Sequence, residues 1–231
     1  MLYIHAGHLR SGSASECGVN GIVRNLVSRG VVVVIIQYRL GTLGFFTTMD
    51  EEFPPNLGML DQVEAIKFVH KHINKFGGDP KQLTLFGESA GAASISAHTY
   101  SPMTKELFHK AILQSGSIYL SLDGVFGMSR NSHAIAKSVC NIDLPTKGKL
   151  NKTTQRLTKK CFVVKIICQC LSESFIKTTS FCSKLKKCMM EADATKFLLF
   201  ERASFSYFLS QKNCQHQDEL ISQVISLTVD P

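Results

Sequence analysis

The pentapeptide Gly87-Glu88-Ser89-Ala90-Gly91 constrains this chain more than any other stretch. It fits G-x-S-x-G, and its setting narrows the meaning. The apolar run Leu83–Phe86 precedes it, and an Ala- and Ser-rich run from Ser89 to about Tyr100 follows, with Pro102 just beyond. A strand that turns at once into a helix leaves little room beside the turning residue. Glycines two before and two after the serine supply that room, and the turn lifts the hydroxyl above the sheet. The helix N-terminus then brings backbone N–H groups close to it. The spacing points to Ser89 as a nucleophile at the end of a strand. The plainer reading of the same five residues is a glycine-flanked loop serine.

The rest of the first 145 residues alternates in the same way. Leu2–His5 is a short apolar strand, and Val19–Arg29 suits a helix. Val31–Tyr38 is rich in β-branched residues and apolar on both faces, as expected of a central parallel strand. Residues 39–58 contain Gly41, Gly44, Pro54, Pro55 and Gly58 and read as a long loop. From Met59 to Phe76, apolar residues at Leu60, Val63, Ile66, Val69, Ile73 and Phe76 recur at helical steps. Gly77-Gly78 ends that helix and Asp79-Pro80 turns the chain. Ala111–Gln114 is a further strand. This order predicts an α/β fold, a mostly parallel sheet with flanking helices.

Composition divides the chain. Residues 1–145 hold 15 of the 16 glycines, and no proline lies between Pro145 and Pro231. Of the net charge of +8, residues 146–231 contribute +7 and residues 1–145 only +1. The expectation is a core in 1–145 followed by a basic, divergent region, 146–231, mainly helical or irregular. A solvated basic face or a disordered tail accounts for that charge, and no aromatic-interleaved basic motif supports a nucleic-acid partner. No apolar run reaches the length of a membrane span. Six of the eight cysteines lie beyond residue 145, and none forms a C-x-x-C pair. No structural zinc site is expected. The opening Met1-Leu2-Tyr3-Ile4-His5 reads as a core strand and not a secretory signal. The cysteines are therefore expected to be free buried thiols.

A family becomes recognisable when the segments are read together. Asn56-Leu57-Gly58-Met59-Leu60-Asp61-Gln62, Phe76-Gly77-Gly78-Asp79-Pro80, Leu83 through Ala92, and Gln114-Ser115-Gly116-Ser117 resemble the type B carboxylesterases, the carboxylesterase and cholinesterase group. Tyr38-Arg39-Leu40-Gly41 with Leu43-Gly44-Phe45 looks like that family's loop after a central strand. The resemblance covers about 140 of 231 residues and fades after about Cys140. It implies an α/β-hydrolase fold, here partial, and hydrolysis of small-molecule carboxylic esters through a serine acyl-enzyme, with no cofactor. Ser89 would be the nucleophile, and the N–H groups of Ala90 and Gly7 the oxyanion donors. Ser115 and Ser117 would stand in the polar network behind the site, or simply end a strand. Members of the family are often secreted or held in the endoplasmic reticulum lumen.

The chain departs from the pattern in three places. The oxyanion loop reads His5-Ala6-Gly7-His8 where the family has His-Gly-Gly-Gly, and the Cβ of His8 works against the glycine-like conformation. A counterpart of the N-terminal sheet that precedes this loop in the family is not expected in these 231 residues. A serine hydroxyl also needs a base, and in this fold the order is Ser, acid, His. After Ser89 only His98, His109, His133 and His216 remain. The first three fall in segments that match non-catalytic parts of the family. His216, in His216-Gln217-Asp218-Glu219-Leu220, is the tentative base, with Asp193, Glu191 and Glu201 open as the acid. Weak or no turnover is expected while this triad stays incomplete. The alternative is a non-catalytic cholinesterase-like protein or a truncated or decayed esterase.

Overall fold

The computed structural model describes residues 1–48, 53–121, 124–143 and 179–192. Among these residues four strands form one parallel sheet: β1 (Leu2–Ile4), β2 (Val34–Ile35), β3 (Thr84–Glu88) and β4 (Lys110–Gln114), in the order β2-β1-β3-β4. Among the described residues seven α-helices accompany them: α1 (Val19–Asn25), α2 (Gly41–Phe45), α3 (Leu57–His72), α4 (Ala90–Tyr100), α5 (Ile118–Ser121), α6 (Gly124–Cys140) and α7 (Thr179–Glu191). The alternation and the parallel sheet agree with the fold expected from sequence.

Strand periodicity sorts the core into two layers, because successive side chains point to opposite faces. Leu2, Ile4 and Leu85 face one side, where they meet Ile66, Val69 and Ile73 from α3 and its end and Ile95 from α4. Tyr3 and Phe86 face the other, against Cys17, Ile22 and Leu26 around α1. The rings of Tyr3 and Phe86 lie 4.8 Å apart. Each fully buried aliphatic side chain contributes roughly 1.5–3 kcal/mol, so the α3–α4 face is the stronger of the two. In register, Ile4 stands opposite Gly87, and Leu113 opposite Gly87 on the other side. This places the end of β1 beside the glycine that opens the Ser89 turn.

Several expectations need correction. Within Val31–Tyr38 only Val34–Ile35 form ladder pairs among the described residues, and β2 lies at an edge of the four described strands and not at their centre. Its inner side pairs well, through Met1 N to Val32 O at 2.7 Å, Val34 N to Met1 O at 2.9 Å and Ile36 N to Tyr3 O at 3.2 Å. Its outer side has no described partner, so Val32–Ile35 are only half-buried despite their apolar character. Residues 39–58 are not simply loop, since they contain α2. Gly44 and Gly58 serve close packing there: a Cβ on either would run into the Arg39 carbonyl oxygen, and on Gly58 also into the Phe45 ring at 2.6 Å. The α3 helix starts two residues earlier than its apolar pattern does and ends at His72, followed by a 3-10 turn, Ile73–Phe76. Phe76 therefore points outward, 68% exposed. Gly77 closes this segment in the left-handed region (φ 81°), as the sequence anticipates.

The cysteine reading is also corrected. Cys140 and Cys188 form a disulfide with a Cα–Cα distance of 5.9 Å, while Cys17 is a buried thiol outside any disulfide. Packing explains the bond. Ile135 and Ala136 of α6 and Leu185 of α7 bury against Phe46, which brings the two helices to bridging distance. Of residues 146–231 the structure describes only 179–192, and these are almost entirely helix α7. Among the described residues no helix is long and apolar enough to cross a membrane.

Candidate active site

Ser89 stands between β3 and α4 with φ 50° and ψ −115°. A residue with a Cβ rarely adopts a positive φ, and holding it there costs on the order of 1–3 kcal/mol. The surroundings impose the conformation. Ser89 N donates to Gln114 O at 2.9 Å, and Ala93 N donates to Ser89 O at 2.9 Å. Three glycines then let the backbone close in. A Cβ on Gly87 would lie 2.6 Å from Ile4 O. One on Gly91 would overlap the same oxygen and lie 3.1 Å from His5 O. One on Gly116 would overlap Ser89 O and lie 3.0 Å from the Ala92 Cβ. Gly87 and Gly91 are the two glycines of the G-x-S-x-G spacing. Gly116 is a third that the sequence does not announce. The preceding Ser115 has φ 53° and an exposed side chain, and Ser117 is half-buried at the mouth of the same turn.

The loop after β1 is equally constrained. Gly7 has φ 110°, and a Cβ there would meet the Ser11 backbone at 2.7 Å. Its carbonyl accepts from Arg10 N at 2.9 Å and from Ser11 N at 3.1 Å. His8 and Leu9 follow at φ 56° and 61°. His8 thus takes the glycine-like conformation despite its Cβ. Gly41 N donates to Leu9 O at 2.7 Å and ties the loop to α2. His5 is buried and stacks on Tyr38, ring centroids 4.5 Å apart, while the Tyr38 hydroxyl donates to His5 O at 3.0 Å. Burial pushes the Tyr38 phenol well above its usual range, so it remains a donor. Because Gly91 packs on the carbonyls of Ile4 and His5, the Gly7 loop begins beside the first turn of α4.

Helix α3 braces both parts. Asp61 accepts from the Arg39 backbone N–H at 2.9 Å and takes the guanidinium in two bonds of 2.7 Å. Those hydrogen bonds hold the Asp61 carboxyl below the usual carboxylate range and raise Arg39. Gln62, buried, reaches His98 and Ser94 on α4. The sequence reading missed Gln62, Ser94 and His98 as a group. The available signal was polar residues at core-facing helical positions, Gln62 beside Val63 and Ser94 four residues before His98.

The candidate base and acids are not brought to Ser89 by the described residues. His98 is committed to Gln62. Its burial pulls it down to about 4, so it is neutral near pH 7. His109 is exposed and His133 lies half-buried on α6. Glu191 ends α7 with its carboxylate exposed, 4.0 Å from Lys187. His216, Asp193 and Glu201 lie outside the described residues. Among the described residues no cluster of three metal-ligating side chains occurs.

The geometry has counterparts among known proteins. The carboxylesterase family model matches residues 1–215, well past Cys140, where the likeness in the motifs fades. Pyrethroid hydrolase Ces2a of Mus musculus is 46% identical over 142 residues, 62% of this chain and 24% of the relative. Liver carboxylesterase 1 of Oryctolagus cuniculus is 50% identical over 121 residues, 52% of this chain and 21% of the relative. Gut esterase 1 of Caenorhabditis elegans is 43% identical over 120 residues, with 52% and 21% covered. The matched stretch is thus a quarter or less of each relative's length. A strained serine between strand and helix, a glycine-shaped loop beside it and a family match over nearly the whole chain lead to one conclusion: this chain belongs to the carboxylesterase family.

Proposed function

We propose that this chain carries the nucleophile half of a carboxylic-ester hydrolase acting on small-molecule esters, with Ser89 as the acyl-forming residue. The observation that carries the reading is the Ser89 backbone, held at φ 50° by the packing of Gly87, Gly91 and Gly116. In this reading Ser89 Oγ attacks the ester carbonyl carbon as a base takes the hydroxyl proton. The carbonyl oxygen becomes an oxyanion that accepts from the N–H groups of Gly7 and Ala90. Collapse expels the alcohol, which leaves with the proton, and water then releases the acid from the acyl-enzyme. The closeness of Gly91 to the Ile4 and His5 carbonyls supports placing both donors beside one oxygen. Esterase and carboxylesterase are the activities in the names of the relatives, which supports the substrate class.

His216 is the base in this proposal, although it stands one residue beyond the span matched by the family. Residues 1–145 form the core fragment and 146–231 an appended region, of which α7 is fastened to α6. Turnover of this chain is weak or nil in this reading, because a serine hydroxyl without a complete triad is a poor nucleophile. This reading involves no nucleic-acid partner, and a steep salt dependence of binding to polyanions would contradict it. The test is labelling by a fluorophosphonate active-serine probe, beside Ser89→Ala and His216→Ala. Loss of labelling in both variants supports the pair. Loss in Ser89→Ala alone removes His216 from the role.

A further inference from the structure

Behind the Ser89 turn runs a row of buried polar groups that ester hydrolysis as described above leaves unused. His98 Nε2 stands 2.9 Å from Gln62 Oε1, Gln62 Nε2 3.3 Å from Ser94 Oγ, and Ser94 Oγ 2.9 Å from Ala90 O. All three side chains are buried. A neutral imidazole has a single N–H. The Gln62 amide donates to Ser94 and so turns its oxygen to His98, which fixes the imidazole proton on Nε2. Thr104, whose hydroxyl donates to the His98 carbonyl at 2.9 Å, closes the Nδ1 side at 3.5 Å. Donation therefore runs in one direction, from His98 through Gln62 and Ser94 to the carbonyl of Ala90. The neighbouring residue on α3, Asp61, holds Arg39, and Tyr38 beside it donates to His5 O. Two adjacent residues of one helix thus tie α3 to α4 and to the chain next to Tyr38.

We propose that Gln62, acting through Ser94, is a positioning residue: it hangs the first turn of α4, and with it the Ala90 N–H, from α3. The effect on rate rests on the reading of Ser89 as nucleophile; the anchoring itself rests only on the hydrogen-bond row. Ser94→Ala removes one hydroxyl from a helix that tolerates alanine, and Gln62→Met keeps length without hydrogen bonds. Two readouts are taken on the whole chain. Amide exchange at Ala93, whose N–H is bonded to Ser89 O in the first turn of α4, reports the anchoring, and fluorophosphonate labelling gives a limiting rate and a half-saturating probe concentration. In Ser94→Ala, exchange rises and the limiting rate falls, each on the order of fivefold, the worth of one neutral hydrogen bond. The half-saturating concentration is unchanged, Ser94→Thr restores both readouts, and Gln62→Met raises exchange at least as much as Ser94→Ala, because it also unpairs His98 on the same helix. Unchanged exchange in Ser94→Ala overturns the proposal whatever the labelling shows. A wild-type chain that does not label sinks the nucleophile reading instead. Faster exchange in Ser94→Ala then still upholds the anchoring.

Discussion

Gly91→Ala is the perturbation that reads the packing of the nucleophile turn most sharply. A Cβ there would lie 2.9 Å from the Ile4 carbonyl carbon and 3.1 Å from His5 O, and would overlap Ile4 O. Carbon–carbon contacts settle at roughly 3.5–4.0 Å, so α4 must retreat from β1 by about 1 Å. The neighbours are strand backbone and cannot swing aside as a side chain would. Ala92 and Ile95, fully buried on the same helix, lose their fit as well. Overpacking costs typically about 1–3 kcal/mol, and this site belongs at the upper end. A 1 Å displacement of a reacting group costs on the order of a hundredfold in rate. Urea denaturation and the rate of fluorophosphonate labelling measure the two effects. Gly77→Ala is the control, with φ 81° but nothing within 4 Å of the added Cβ. It loses about 1–2 kcal/mol from backbone strain and labels at the wild-type rate. Wild-type stability and labelling in Gly91→Ala would refute the claim that β1 and the turn are in contact.

Other variants probe the remaining supports. The Cys140–Cys188 bridge closes a separation of 48 residues. Replacing both cysteines by alanine lowers stability by about 4 kcal/mol on the loop-entropy model; an unchanged urea midpoint would show that the helices hold without it. His98 titrates near 4 when folded against about 6.5 unfolded. Stability tied to it is complete above the unfolded value and is lost as pH falls from about 6.5 through 4, by about 3 kcal/mol. Denaturation across that window has a shallower slope in His98→Gln, and identical slopes would rule His98 out as the group responsible. Tyr38→Phe removes the buried donor to His5 O and lowers stability by about 1–2 kcal/mol. It also slows labelling, whereas an unchanged rate would mean that the Gly7 loop does not depend on this bond.

The turn around Ser89 is legible in sequence because its steric demand is written in glycine at fixed distance from the serine. The strands β1 and β3 are legible for a related reason: both faces of each are buried, so a short apolar run suffices. For β2 the same run misleads, since Val31–Tyr38 shows what the strand could bury but not which strands lie beside it. Helix α2 is hidden by its own glycines. Gly44 reads as a loop residue until the Arg39 carbonyl is seen against it. Nothing in the spacing of eight cysteines distinguishes Cys140 and Cys188, because their pairing is set by how Phe46 draws α6 and α7 together. Gln62 and His98 are thirty-six positions apart, and only packing reveals that each satisfies the other. The base and acid are hardest of all, since in a Ser-acid-His order they come from distant chain and carry no local geometric signature.

One measurement tests the central claim most directly: mass-spectrometric mapping of a fluorophosphonate adduct on the folded chain, with Ser89→Ala in parallel. A single adduct on the peptide containing Ser89, lost in Ser89→Ala, is the result this account predicts. A folded wild-type chain that takes up no probe, or takes it up on another serine, would contradict it.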